Sequence, residues 1–261
     1  MSPAGRDDDA RFLWATRTTL EVREAILAGD LVALLPVGAT EAHGPHLALD
    51  TDVAIALEVA LRAARALGQD GRRALVLPPL SYAVTRFAGE FAGTIGIGEH
   101  AARHVLDDLF ESLALQGVRT LAIVNHHLEP AHLAVLREAA IHAPKRLRIA
   151  FPEHTRRPHA LALGDEFKSG DCHAGRYETS IVLATGGGSA RVREAIRASL
   201  EPQWLGLVAG IKAGKRTFRE VGMTEAYVGD PRAATAAEGE ALLEALAGIV
   251  VAAVKEIGPH A

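Results

Sequence analysis

The sequence predicts an α/β fold: a three-layer α/β/α sandwich around a mainly parallel sheet. Three observations predict it. Four short runs are rich in Val, Ile and Leu, helical patterns separate them, and no linker or internal repeat interrupts the 261 residues. The apolar runs lie at 31–37, 74–77, 120–125 and 147–151. Each is too short for a typical helix and lacks polar alternation, which suits strands buried on both faces.

A first helix is predicted over 20–28, with Thr18 or Thr19 as its cap and Gly29 near its end. Helical patterns follow at 51–67, 98–115 and 129–141, so successive strands are joined by crossovers that cover both faces of the sheet. After Phe151 the alternation gives way to Pro152, Pro158 and a polar loop. Helical patterns resume at 174–184, 190–200 and 233–254, a half that caps the sheet. With no composition shift along the way, residues 1–261 are read as a single domain whose first residues, 1–11, form a loose tail.

Composition narrows the function classes. Apolar residues at 49% and charged residues at 23% are ordinary for a globular chain with a sizeable core. A net charge of -4 without a stripe of Lys and Arg offers no footprint for nucleic acid or an anionic membrane. The single cysteine, Cys172, excludes an internal disulfide and agrees with a reducing cytoplasm. Arg6, Asp7, Asp8 and Asp9 stand where a signal peptide would need a basic start and an apolar run. The apolar stretch 242–254 contains Glu244 and falls short of the roughly 20 residues that span a bilayer. The expectation is a soluble cytoplasmic protein acting on a small-molecule substrate, with no nucleic-acid partner and no membrane.

Two short patterns carry the chemistry: Glu41-Ala-His43, followed by Asp52, and His127-Leu-Glu129. In an extended chain residues i and i+2 face the same way, so each pair aims an imidazole and a carboxylate at one point. The first pair follows the first predicted strand and the second follows the third. Carboxyl ends of parallel strands line the binding crevice of an open sheet, so topology delivers both pairs to one rim. Asp52, in the first turn of the next helix with Thr51 as its expected cap, points back to the same rim. Two divalent cations sharing a carboxylate activate water at neutral pH and polarise a carbonyl, the requirement for cutting an unactivated amide. Imidazole and carboxylate ligands without thiolate suit zinc or manganese.

The segments Pro36-Val-Gly-Ala-Thr-Glu-Ala-His-Gly-Pro-His46, Thr51-Asp52 and His173-Ala-Gly-Arg-Tyr-Glu-Thr-Ser180 resemble the creatininase family of metal-dependent amidohydrolases. The turn Phe91-Ala-Gly-Thr94, the segment Asn125-His-His127 and the stretch Gly229-Asp-Pro-Arg-Ala-Ala-Thr235 follow in family order. The resemblance implies a creatininase-like sandwich, two divalent metal ions and a homo-oligomer, hexameric in many relatives. It implies Glu41 and His127 as ligands of one metal, His43 and Glu129 as ligands of the other, and Asp52 as the bridge.

Some residues depart from the family pattern. Many relatives read Asn-Gly-His-Gly-Gly-Asn after the third strand, where this chain has Asn125-His-His-Leu-Glu-Pro130. Relatives lacking the carboxylate of Glu129 use the glutamate of the later motif, here Glu178, which is therefore a further candidate ligand. Creatinine hydrolases close two tryptophans over the small ring, yet the tryptophans here, Trp14 and Trp204, lie far in sequence from the His173 motif. The stretch 84–90 also departs, so the pocket is expected to be retuned away from creatinine.

Each candidate has a plainer reading beside the functional one. Glu129 also fits as an acidic residue at a helix start before Pro130, favouring the helix dipole. His46 fits either as a hydrogen-bond partner of a ligand or as loop packing. His126 is read as structural or pocket-lining. His173 is the candidate for proton transfer to the departing nitrogen, with Glu129 also placed among the catalytic groups. Cys172 is rejected as a nucleophile, because a catalytic thiol needs a positioned base. Gly175 is expected to permit a close backbone approach. The expected activity is hydrolysis of a non-peptide C–N bond in an amide, cyclic amide or formamide. Trimming of a short precursor peptide is the alternative, and a non-catalytic metal-binding or ligand-sensing module is the alternative of another class.

Overall fold

All four apolar runs form strands in the computed structural model, which describes residues 9–258. Strands β1 (Val32–Val37), β2 (Ala74–Val76), β3 (Thr120–Asn125) and β4 (Arg148–Ala150) make one parallel sheet of order β2-β1-β3-β4. The helices α1 (Thr19–Leu27), α2 (Thr51–Gln69), α3 (Glu99–Leu115) and α4 (Pro130–Ile141) precede or connect these strands. Beyond β4 come α5 (Gly164–Ser169), α6 (Arg176–Ala184), α7 (Gly188–Arg191), α8 (Glu194–Arg197), α9 (Leu207–Lys212), α10 (Phe218–Val221) and α11 (Ala236–Glu256).

The two-residue period of the strands divides the core. Val32 and Leu34 face one side with Ala122 and Val124, where they meet Val59 and Leu67 of α2 and Leu243 and Val250 of α11. Ala33, Leu35, Leu121 and Ile123 face the other side and pack on Leu106, Phe110 and Leu136 of α3 and α4. Both faces are therefore dry, the condition under which a parallel sheet is stable. Helix α1 starts in a capping box, in which the Thr18 hydroxyl accepts from the Glu21 amide and the Glu21 carboxylate accepts from the Thr18 amide.

The register positions the site. Val37 at the end of β1 lies opposite Asn125 at the end of β3, and the His126 amide donates to the Val37 carbonyl at 3.0 Å. The two sequence motifs therefore leave the sheet side by side on one rim.

The structure departs from the sequence expectation in three places. The helix predicted over 190–200 is two short ones, α7 and α8, because Val192 is extended (φ -103, ψ 127) and bridges to Leu47. The next amide, Arg193, donates to the His46 carbonyl at 2.7 Å, so this segment is tied to the motif loop. Helices α5, α9 and α10 were not foreseen, being of four to six residues and too brief to show a helical period. The predicted tail is packed where it is described: the Asp9 carboxylate accepts from Arg65 Nε at 2.9 Å, and Ala10–Phe12 is a 3-10 turn. The remaining tail residues, 1–8, lie outside the described residues. No helix among the described residues is long and apolar enough to cross a membrane.

Candidate metal centre

Close packing at Gly38 builds the floor of the site. A Cβ on Gly38 would stand 2.5 Å from the Val53 nitrogen and 2.9 Å from Asp52 Cβ, so the chain leaving β1 crosses the start of α2 only as glycine. Asp52 is the second residue of α2. Asp50, not Thr51, occupies the cap position, and the Thr51 hydroxyl donates to the Ala48 carbonyl at 2.7 Å instead.

Asp52 divides its two oxygens between two histidines. Oδ1 lies 3.2 Å from His43 Nε2, and Oδ2 lies 3.1 Å from His127 Nδ1. Each imidazole is oriented by a backbone carbonyl at its other nitrogen: His43 Nδ1 by Glu41 at 3.1 Å, His127 Nε2 by Val84 at 2.9 Å. Those carbonyls hold the protons there and turn the remaining nitrogen of each ring toward Asp52. Glu41 Oε1 is 3.3 Å from His127 Nδ1, and Glu41 Oε2 accepts from the Thr85 hydroxyl. Glu178 Oε2 is 3.6 Å from His43 Nε2 and accepts from the Ala174 amide at 2.6 Å. Two groups result that could each hold a cation, Glu41 with Asp52 and His127, and His43 with Asp52 and Glu178. All five residues are buried.

Glu178 reaches this point because Gly175 lets α6 start against the chain at Val228. A Cβ there would be 2.5 Å from the Val228 carbonyl oxygen and 2.7 Å from Glu166 Oε2, as the sequence reading of Gly175 anticipates. Buried His46 ties the motif loop to the same helix through a 2.9 Å hydrogen bond between its Nε2 and the hydroxyl of Thr179, the neighbour of Glu178. His46 is in neither group.

Glu129 is not brought to the pair it was expected to complete. It caps α4 without a side-chain capping bond, and its Oε2 accepts from the amides of Arg86 at 2.6 Å and Phe87 at 3.1 Å. Those two amides, in the very stretch, 84–90, that departs from the family pattern, engage the carboxylate. In place of Glu129, the geometry groups Glu178 with His43 and Asp52.

His173 stands over the centre, its ring 4.5 Å from that of His43 and 4.5 Å from that of Phe218. Its Nε2 donates to the Ala42 carbonyl at 3.0 Å, which leaves Nδ1 for proton exchange. His173 also forms a third ligand-capable group with Glu41 and His43. His126 is stacked between His154 and Tyr177, at 5.4 and 5.7 Å, and also lines the space above the centre, so the two roles read for it in the sequence coincide.

The electrostatics of the protein by itself fit a cation site. Burial would raise the Asp52 carboxyl, but His43 and His127 outweigh it and hold Asp52 well below its ordinary range. Burial would lower His43, yet the adjacent Asp52 and Glu178 push it up to about 10. His127 is likewise raised, Glu41 and Asp52 overcoming its burial. Burial lifts Glu178 to about 8 against the pull of His43. Burial and the charge of His43 lower His173 to about 4. Protons on His43 and His127 thus offset the carboxylates where cations would sit. Cations binding there displace those protons, so uptake weakens as pH falls. His43 Nε2 is fully buried and faces Asp52 Oδ1 at 3.2 Å without a well-aligned hydrogen bond, a placement that suits a nitrogen available to a cation.

The creatininase family profile, described as creatinine amidohydrolase, matches residues 15–254. The chain belongs to the creatininase family. It is 32% identical to the mycofactocin precursor peptide peptidase of Mycolicibacterium smegmatis, over 80% of this chain and 78% of that one. It is 30% identical to the creatinine amidohydrolase of Pseudomonas putida, over 64% of this chain and 69% of that one. A crystal structure of creatinine amidohydrolase superimposes with a TM-score of 0.69 at 25% identity, covering 96% of this chain and 99% of that one. A Zn-Zn type mutant creatininase matches with a TM-score of 0.71 at 23% identity, over 95% and 99% of the two chains, and supports the fold. Creatininase structures of both zinc and manganese type are among these neighbours. The chain is therefore a hydrolase of this family with a cluster of side chains able to hold metal.

Above the centre this creatininase-family chain opens a cavity of about 570 Å³. Phe87, Phe167 and Phe218 are its aromatic walls, and neither tryptophan lines it. Trp14 packs beneath the opposite sheet face, and Trp204 is exposed. Cys172 also lines the cavity, but burial and the charge of Glu178 push its thiol well above the ordinary value, so it stays protonated. Sequence reasoning missed Thr85, which holds Glu41, the Val84 carbonyl, which orients His127, and the cavity residues Arg157, Lys212 and Phe218. The departure at 84–90 was the available signal for the first two.

Proposed function

We propose that this chain hydrolyses an amide C–N bond outside a protein backbone, using two divalent cations held by Glu41 and His127 on one side, His43 and Glu178 on the other, and Asp52 between them. The observation that carries this reading is the division of Asp52, whose two oxygens lie 3.2 and 3.1 Å from different imidazole nitrogens. The donor set of imidazoles and carboxylates suits zinc or manganese. When bound, such ions supply an activated water and a pull on the substrate carbonyl, effects worth several kcal/mol.

The chain's own residues do the rest. His173, with Nε2 committed to Ala42, takes and returns a proton through Nδ1 and so serves the departing nitrogen. Thr85, the Glu41 carbonyl and the Val84 carbonyl keep ligands from rotating, which preserves the geometry through turnover. Glu129 holds the wall at Arg86 and Phe87 against the cleft. The same reading takes the chain as a cytoplasmic homo-oligomer.

A second reading, trimming of a short peptide, is favoured by the mycofactocin precursor peptide peptidases among its relatives and by a cavity of about 570 Å³, far larger than a single small ring needs. The experiment that tests the reading strips metal with chelator, restores zinc or manganese, and screens lactams, formamides and short peptides by mass change. Metal-dependent addition of one water to an amide is the expected result, and the responding class separates the two readings. Metal content well below one ion per chain under replete conditions, with no turnover, would favour a non-catalytic binding module instead.

A further inference from the structure

The cavity has two chemically different ends. Its floor holds every carboxylate of the lining, Glu41, Asp52, Glu129 and Glu178, all buried and already engaged with imidazoles or backbone amides. Its mouth holds Arg157, Lys168 and Lys212 and no acid. Lys168 pairs at 2.5 Å with Asp165, whose side chain is 98% exposed. An ion pair so open to water contributes little and yields readily to a competing anion. Arg157 and Lys212 make no ion pair among the described residues, and both are exposed.

Between the two ends the walls are apolar, formed by Leu161, Phe167, Leu207, Val208, Ile211 and Phe218. Leu161 is 55% exposed and Val208 39% exposed. Solvent-facing apolar side chains that line a concave wall are the usual mark of a surface awaiting a ligand. Arg157 and Lys212 come from separate segments, the loop before Pro158 and the end of α9, yet line the same opening.

Resting on the reading of this cavity as the catalytic cleft, we infer that the substrate is an anion: its amide reaches the floor, an apolar body lies along the wall, and a carboxylate or phosphate group is held at the mouth by Arg157 and Lys212, with Lys168 beside them. The floor's carboxylates are engaged with imidazoles and backbone amides, whereas Arg157 and Lys212 at the mouth make no ion pair among the described residues. That difference sets the orientation in which the substrate enters and excludes substrates with a cationic far end.

The test measures binding of three phenyl-bearing probes to the metal-loaded full chain by calorimetry: N-acetylphenylalanine, its neutral amide, and phenyl phosphate. At low ionic strength at least one anionic probe is expected to bind about tenfold more tightly than the neutral amide, a margin within reach of two exposed cations acting together. The double variant Arg157→Ala/Lys212→Ala is expected to lose that margin while binding the neutral amide as before, and Arg157→Lys/Lys212→Arg to recover it. A stronger carboxylate probe marks a free acid terminus as the anion, and a stronger phosphate probe marks a phosphate ester. Equal binding of all three probes overturns the inference. So does a preference that survives the double variant, because the anion then sits on the metal ions. Neither measurement depends on turnover: if the chelation and restoration assay shows no hydrolysis while the preference holds, the proposed activity fails and the anion site stands.

Discussion

Replacing Asp52 with alanine is expected to lower hydrolysis by at least ~10³-fold, the loss of roughly 4 kcal/mol of transition-state stabilisation. Asp52 is the only carboxylate shared by the two ligand-capable groups His43/Glu178 and Glu41/His127, so its loss breaks both together. The effect should extend to the protein without metal. There His43 and His127 each face an Asp52 oxygen in a buried setting, and removing one partner of a buried charged cluster costs about 3–5 kcal/mol. Metal content by mass spectrometry, turnover and the thermal midpoint of the chelated protein are the readouts. Asp52→Asn keeps the volume and is expected to fail in turnover as well, because an amide offers only one oxygen. Activity of either variant within tenfold of the parent would contradict the shared-ligand arrangement.

The second large effect separates Glu178 from Glu129. Glu178→Gln is expected to reduce bound metal and to lower activity by ~10²-fold or more, since ligand loss exceeds the 10–100-fold typical of supporting groups. Glu129→Gln keeps an oxygen to accept from the Arg86 and Phe87 amides. It is expected to retain full metal content and to lose less than about tenfold in activity, the scale of one weakened charge-assisted hydrogen bond. Metal analysis and kcat measured on the two variants side by side give the answer. If Glu129→Gln loses metal and Glu178→Gln does not, the carboxylate of Glu129 swings from the amides to complete the centre, and the assignment reverses.

Much of this architecture was legible in the sequence because its signals are local. Val32–Val37 and Thr120–Asn125 are apolar without interruption, and strand ends in a parallel sheet must share a rim, so Glu41, His43, Asp52 and His127 converge as expected. Thr18 and Glu21 advertise the start of α1 within four residues. What was not legible depends on partners distant in sequence. The fate of Glu129 was decided by amides 42 and 43 residues away, which no spacing rule within its own motif contains. Similarly, 190–200 has the composition of one helix, but a bridge from Val192 to Leu47 and the demand of the His46 carbonyl divide it. The cationic mouth comes from short segments at Arg157 and Lys212 whose meeting is a matter of tertiary packing.

Glu178 lies between these extremes. Its motif marks it as a candidate, and the close approach at Gly175 is what carries α6, and with it Glu178, to the rim. The positive φ of Ala174, 52°, turns its amide onto the Glu178 carboxylate. A left-handed alanine is costly, by about 1 kcal/mol, and is retained where the surrounding structure demands it. Here the demand is a fixed carboxylate facing His43.

The central claim is that two cations flank Asp52. Its most direct test is anomalous diffraction from a crystal of the zinc- or manganese-loaded protein. Two anomalous peaks are predicted, one among Glu41, Asp52 and His127 and the other among His43, Asp52 and Glu178, separated by roughly 3.5–4 Å. A single peak, or peaks away from Asp52, would contradict it.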